Sequence, residues 1–412
     1  MTPLARRIQR TYLTLLLGNT LAASFIWGIN TLFLLDAGLS NVEAFAANAF
    51  FTAGMVLFEI PTGVVADAWG RRVSYLLGTL TLAGSTYLYF VLWQVHGPFW
   101  MWAVVSVLLG LGFTFFSGAV EAWLVDALHF AGYTGDLEAV FARGQVVGGL
   151  AMLTGAVAGG FIAQATDLGT PFLLRVGVLL VMFAVAAVFM RDLGFVREPG
   201  RRPGEAVRQI LSSSIEHGLG NPPVRWLMLA APFVSGVGIY AFYAMQPFLL
   251  ELYGDAGAYG VAGLAAAIIA GSQVLGGMFA PRVRRLVHRR TTAIITATAA
   301  GAVVLALLGV TRSFVVALAL LVVWGVAEAA MMPIRQAYLN DLVPSRQRAT
   351  VLSFDSLMGS AGGVVVQPVL GRSADVWGYG PSYVLGAVIH AAAVPFLVAS
   401  RRRRAAADVG AS

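Results

Sequence analysis

Apolar runs of about 20 residues follow one another along this chain, parted by short connections that hold most of its arginines. A helix rises 1.5 Å per residue, so about 20 such residues cross the roughly 30 Å of bilayer hydrocarbon with every backbone group bonded internally. Windows of that length give spans at roughly 11–35, 43–66, 73–95, 99–127, 140–165, 171–190, 224–252, 258–280, 291–310, 313–340, 348–371 and 379–400. Hydrophobic residues fill 58% of the 412 positions and charged ones 11%, a balance that no water-soluble surface of this size tolerates. The chain is therefore read as an all-α integral membrane protein with twelve transmembrane helices.

An even number of spans puts both termini on one side, and the arginines choose which. The side of the N-terminus would carry Arg6, Arg7, Arg10, Arg71, Arg72, Arg143, the 191–225 group, the 282–290 group, Arg346, Arg348 and Arg401 to Arg404; the other would carry only Arg175, Arg312 and Arg372. Cytoplasmic termini and residence in the cytoplasmic membrane follow as expectations. The net charge of +7 thus reads as an orientation signal and not as a nucleic-acid surface. With no cysteine there is no disulfide or thiol nucleophile. The first run, continuing through Trp27 to Leu35, is long enough to span and is expected to stay uncleaved.

Between spans 2 and 3 residues 59–72 read EIPTGVVADAWGRR. Glu59, Gly63 and Asp67 fall one helical turn apart and share a face, where Gly63 is expected to let a neighbouring helix approach and Asp67 to stand at the helix end. Gly70 permits the reversal, and Arg71 and Arg72 hold the hairpin inside. Gly63, Asp67, Gly70, Arg71 and Arg72 complete G-x-x-x-D-x-x-G-R-R, and in this the chain resembles the major facilitator superfamily of secondary transporters, drug and metabolite efflux permeases in particular. The resemblance implies two pseudo-symmetric six-helix bundles and a rocking, alternating-access cycle. It also implies an inner charge cluster, Asp67 and Asp126 near Arg71 and Arg143, that locks or releases one state.

The only long polar insert, between spans 6 and 7, divides the chain into an N-terminal bundle (1–190), a linker (191–223) and a C-terminal bundle with a basic tail (224–412). In the linker Ala206, Val207, Ile210, Leu211 and Ile215 recur at helical spacing, which suits a surface helix as well as a flexible tether. The halves echo each other: span 4 ends EAWLVDAL and span 10 RQAYLNDL, setting Asp126 opposite Asp341. The second-half counterpart of the hairpin, from Gly276, has Pro281 where the acid should be.

An ionisable side chain in a bilayer costs about 2.5–3.5 kcal/mol or more, so each one needs a reason. Arg335 and Asp355 fall at similar depth on spans 10 and 11 and are expected to pair, structurally or at a substrate. Glu328 sits about 20 Å from the inner end of span 10, with no basic residue one turn away. Burial disfavours the charged form of a carboxyl, the condition for a proton carrier or a binder of cations; a neutral carboxyl bonded to backbone is the alternative. Glu121 and Glu59 follow as coupling candidates, and His390 reads as a packed histidine. Asn19, Trp27 and Asn30 on span 1, Tyr240, Tyr243 and Gln246 on span 7 and Gln336 on span 10 are expected to line a cavity suited to an amphipathic organic substrate.

Two antiporter signatures are partial. Gly110 and Gly112 on span 4 remain, but Ser106 takes the place of an arginine; Gly155, Gly159 and Gly160 on span 5 remain, but Ala156 replaces a proline. The leading expectation is a monomeric, proton-coupled exporter of a small organic molecule, with an uptake symporter as the alternative. No cofactor or metal is expected. A membrane enzyme would need a clustered nucleophile or metal set, and the five histidines are scattered.

Overall fold

The computed structural model describes residues 2–195, 204, 208, 218–344 and 348–409, all in helices and their connections. The proposed linker helix lies outside the described residues. The helices are α1 (Pro3–Trp27), α2 (Asn30–Asp36), α3 (Asn41–Trp69), α4 (Arg71–Val95), α5 (Phe99–Thr114), α6 (Ala119–Phe130), α7 (Leu137–Ala165) and α8 (Thr170–Phe189). They continue as α9 (Pro222–Tyr253), α10 (Tyr259–Leu286), α11 (Arg290–Val310), α12 (Phe314–Leu342), α13 (Arg348–Trp377), α14 (Tyr379–Ala391) and α15 (Ala393–Arg402).

Among the described residues ten helical stretches are long and apolar enough to cross a membrane; α1 and α2 make an eleventh, bent by 48° at its break. α13 supplies a twelfth helix of 30 residues, long enough to span but more polar. Three runs that read as continuous are interrupted, the twelfth at Ala392 between α14 and α15. The first-span break falls at Gly28 and Ile29, and the fourth between Thr114 and Ala119, where Gly118 takes a left-handed φ of 67°. Pro61, Pro232, Pro247, Pro281, Pro333 and Pro368 all lie within helices, as neighbouring membrane helices allow.

The chain forms two compact units. Unit 1 comprises Met1–Gly38, Phe50–Ala206 and Gly257–Ala267; unit 2 comprises Leu39–Ala49, Val207–Ala256 and Ile268–Ser412. α3 therefore begins in unit 2 and continues in unit 1, and α10 does the reverse. Inside unit 1, α1 packs on α7 and α8, and α4 on α8 and α5; inside unit 2, α9 packs on α13 and α15, α11 on α14 and α12. By span number these are the same pairings, one with five and six, three with six and four, in each half.

Close backbone approach at glycines makes the pairings possible. A Cβ on Gly54 of α3 would stand 2.6 Å from the Val107 carbonyl oxygen of α5, and one on Gly276 of α10 2.5 Å from that of Val326 on α12. Gly159 of α7 likewise rests on the Phe25 backbone, and Gly362 of α13 on that of Pro232. Small residues at crossings are how membrane helices gain van der Waals contact without a hydrophobic driving force between them. Each unit has its own apolar cluster, one around Tyr12, Trp123 and Leu124 and the other around Met228, Tyr338 and Leu397.

Candidate functional site

In unit 1 the hairpin between α3 and α4 closes as its composition requires. Gly70 adopts φ 107°, open to glycine and strained for other residues, and precedes α4 directly. Asp67 pairs with Arg71 at 2.6 Å. The Arg72 amide donates to Asp192 Oδ1 at 2.9 Å, and the Arg72 guanidinium to the Ala187 carbonyl. A side chain at position 70 would run into Asp192 Oδ2. Arg71 also lies over the Phe195 ring, 5.8 Å from its centroid. Burial pushes the Asp192 carboxyl above the usual carboxylate range, and the Arg72 amide and the two guanidinium groups pull it back.

Asp192 was not foreseen, and two expectations need correcting here. A Cβ on Gly63 meets nothing within 4 Å, so among the described residues no neighbouring helix uses the space that glycine leaves. Asp126 makes no ion pair with Arg71 or Arg143 among the described residues; its carbonyl oxygen lies against Gly194 instead. Glu59 accepts from Ser117 Oγ at 2.6 Å, tying α3 to the break between α5 and α6.

Unit 1 also holds a cavity of about 200 Å³ whose wall includes Asn19, Trp27, Glu121 and Arg175. Asn19 Oδ1 accepts from the Tyr75 hydroxyl at 2.8 Å, which fixes the amide on the wall. Arg175 was expected on the outer rim. It is instead 6% exposed, one turn and a half into α8. Asn30 begins α2, just beyond the break.

Unit 2 carries two partly buried polar pairs. Arg335 and Asp355 meet at two points, Nη1 to Oδ2 at 2.5 Å and Nη2 to Oδ1 at 2.7 Å, with Nη2 also donating to the Leu227 carbonyl at 3.3 Å. The carboxylate and the guanidinium thus satisfy one another, and α9, α12 and α13 are joined. Deeper in α12, Glu328 Oε1 lies 3.7 Å from Nε2 of His390, whose side chain is fully buried. Neither ring nitrogen of His390 has a hydrogen-bond partner among the described residues. Gly301 of α11 faces the pair: a Cβ there would stand 3.2 Å from His390 Nε2, 3.4 Å from Glu328 Oε1 and 3.7 Å from the Trp324 ring. His390, expected as a packed residue, faces an acid 62 positions away in the chain.

The expected cavity residues of unit 2 are placed differently. Tyr240 is fully buried, its hydroxyl 2.6 Å from Ser382 Oγ and its ring against Phe45 and Tyr383. Gln246 is 1% exposed, Tyr243 stands edge-on to Phe242, and Gln336 is exposed. Asp341 pairs with Arg290 at 2.6 Å.

A second motif went unread. Residues 371–378, GRSADVWG, repeat 63–70, GVVADAWG, at Gly371, Ala374, Asp375, Trp377 and Gly378. Gly378 again has positive φ, 85°. Within unit 2 the Asp375 carboxylate accepts from the amides of Asn41 at 2.8 Å and Val42 at 2.9 Å, closing the first turn of α3, and the Tyr379 hydroxyl donates to Asn41 Oδ1. Aligning the chain with itself at the A-D-x-W-G step would have found it.

The family model for the Major Facilitator Superfamily matches residues 12–367. The chain belongs to this superfamily. Solved members share the fold: the nucleoside transporter NupG superposes with a TM-score of 0.78 at 12% identity, over 97% of this chain and all of that one. A bacterial homolog of the human lysosomal transporter Spinster gives 0.70 at 16%, over 97% and 98%, and a D-xylose-proton symporter 0.68 at 17%, over 95% and 96%. Among curated proteins, Protein ZINC INDUCED FACILITATOR 1 of Arabidopsis thaliana is 29% identical over 117 residues, 28% of this chain and 22% of that protein's length. This superfamily chain is thus a multi-pass, non-enzymatic membrane transporter.

Its departures from the superfamily's antiporter pattern have structural counterparts. Ser106, in the arginine's place, is buried, with its Oγ 2.5 Å from the Tyr89 hydroxyl and donating to the Trp102 carbonyl. Gly155 of α7 packs on Ser24 of α1, so the helix keeps its close approach without the proline.

Proposed function

We propose that the protein is a proton-coupled exporter of a small organic molecule in the cytoplasmic membrane, with both termini inside. The observation that carries the coupling is the Glu328–His390 pair: an acid and an imidazole 3.7 Å apart inside a membrane bundle, the imidazole without a hydrogen-bond partner among the described residues. One proton added to such a pair converts a buried charge into a neutral or internally compensated site, so loading and release shift the energy of the bundle around it. Arg335 and Asp355 serve as a fixed tie, because each carboxylate oxygen already accepts from the guanidinium. The inner hairpin around Asp67, Gly70 and Arg72 serves as the conformational switch, and the arginine-rich connections support the orientation.

Export is favoured by the spacing of Gly155, Gly159 and Gly160, which the antiporter pattern shares. Uptake by symport is the second reading, favoured by Ser106, whose hydroxyl is used within the core where exporters carry an arginine. Proteoliposomes under an imposed pH gradient test both: solute driven against the direction of proton movement supports export, and solute driven with it supports symport. Transport that ignores the gradient in either direction would remove the proton-coupled reading.

A further inference from the structure

Where unit 1 begins, the first turns of α1 and the last turns of α8 enclose a groove of about 600 Å³. Its wall divides in two. Arg6, Arg7 and Arg10 stand on one side, within about 10 Å of the start of α1, and Val185 and Phe189 on the other, within about 6 Å of the end of α8. Both helices end here, so the groove lies at the level where membrane spans leave the hydrocarbon and meet the headgroups. Arg6 and Arg10 fall one turn apart on one helix face, and the Arg7 guanidinium lies over the Phe189 ring, 5.5 Å from its centroid. Neither α1 nor α8 contains an acid, and no acid lines the groove. Among the described residues none of the three guanidiniums is in an ion pair.

Arginines that only orient a chain work from any exposed place in a connection. These three instead repel one another across a shared groove, beside an apolar wall. A soluble anion would satisfy the guanidiniums and leave Val185 and Phe189 against water. An apolar molecule would cover three charges and compensate none. A phospholipid meets both halves at once. Its phosphate accepts paired hydrogen bonds from a guanidinium, and its chains continue along Val181, Val185 and Val188, which share a stripe of α8 at helical spacing. Val181 and Val188 on that stripe are 56% and 60% exposed. Three positive charges exceed what one phosphodiester neutralises, so two phosphates on one lipid match them better, and basic pockets between membrane helices hold headgroups of that kind. We infer that this groove binds an anionic phospholipid carrying two phosphates, its headgroup on Arg6, Arg7 and Arg10 and its acyl chains on the α8 stripe. The inference stands independently of the transport reading.

The test titrates the purified, delipidated full chain in detergent with four probes. Cardiolipin has two phosphates, phosphatidylglycerol one, phosphatidylethanolamine is zwitterionic, and inorganic pyrophosphate has no chains. Native mass spectrometry counts the bound lipid, and thermal shift reads its effect. Cardiolipin is expected to fill one tight site per chain, to raise the melting temperature, and to bind about tenfold or more tightly than either other lipid, with no shift from pyrophosphate at the same concentration. Combining Arg6→Gln, Arg7→Gln and Arg10→Gln should leave cardiolipin and phosphatidylglycerol binding alike and weakly. Val185→Trp keeps every arginine and fills the groove; it should lose the tight site as well, and it stands in for the triple variant if that one does not insert. A pyrophosphate shift equal to that of cardiolipin would make this a site for a soluble anion and overturn the inference. Equal binding of cardiolipin and phosphatidylglycerol by the wild type would overturn it too, as would tight cardiolipin binding that survives in these variants.

Discussion

Arg335 and Asp355 were paired from depth alone, because residues counted from two helix ends place side chains at one level whatever the packing does. The pair is buried and two-pointed, so removing one partner strands the other: Asp355→Ala should cost about 3–5 kcal/mol in unfolding free energy, and Arg335→Met with Asp355→Leu should recover much of it. Denaturant or thermal unfolding in detergent checks the difference between single and double variants. Glu328 and His390 could not be paired that way, since which faces of α12 and α14 meet is decided by packing on α11. Gly301→Ala would press a methyl within about 3.4 Å of both groups and is expected to weaken gradient-driven transport more than it weakens folding, by comparing initial rates with melting temperature. Arg175 was misplaced for a related reason: five residues from a span's edge, a rim arginine and an embedded one look the same in sequence. Gly70→Ala should destabilise the hairpin by about 1–3 kcal/mol through its φ and its contact with Asp192, measured by unfolding of the otherwise unchanged chain.

At the scale of elements, run length found the helices and missed their interruptions. Hydropathy is blind to the turn at Gly28 and the one at Gly118, because backbone geometry and not polarity marks them. It also passes over α13, since Arg372, Asp355 and Asp375 sit in that helix; Asp355 pairs with Arg335 and Asp375 caps α3. The Asp375 contact to the first turn of α3 is the clearest case of an element held by a distant one, with 333 positions separating Val42 from its cap. Asp375→Ala should cost roughly 0.5–2 kcal/mol, the range for losing a helix N-cap. Hydrogen exchange should then quicken at the amides of Asn41 and Val42 while those of mid-α3 keep their protection. Unchanged exchange at the first turn would mean that the carboxylate does not hold it.

For the whole molecule, the architecture was legible because a bilayer leaves few solutions: helices of fixed length, and a repeat that pairs spans one, three, five and six alike in each half. The chemistry was legible only in part, since it depends on which inward faces meet. Glu328 was named without His390. The account's central claim is that a proton on the Glu328–His390 pair drives the movement of a solute through this bundle. Its most direct test is paired solute and proton flux in proteoliposomes, wild type against Glu328→Gln. Wild type should move solute and protons in a fixed ratio under a pH gradient, while Glu328→Gln keeps exchange of solute for solute and loses its response to the gradient. Gradient-driven accumulation that survives in Glu328→Gln would contradict it.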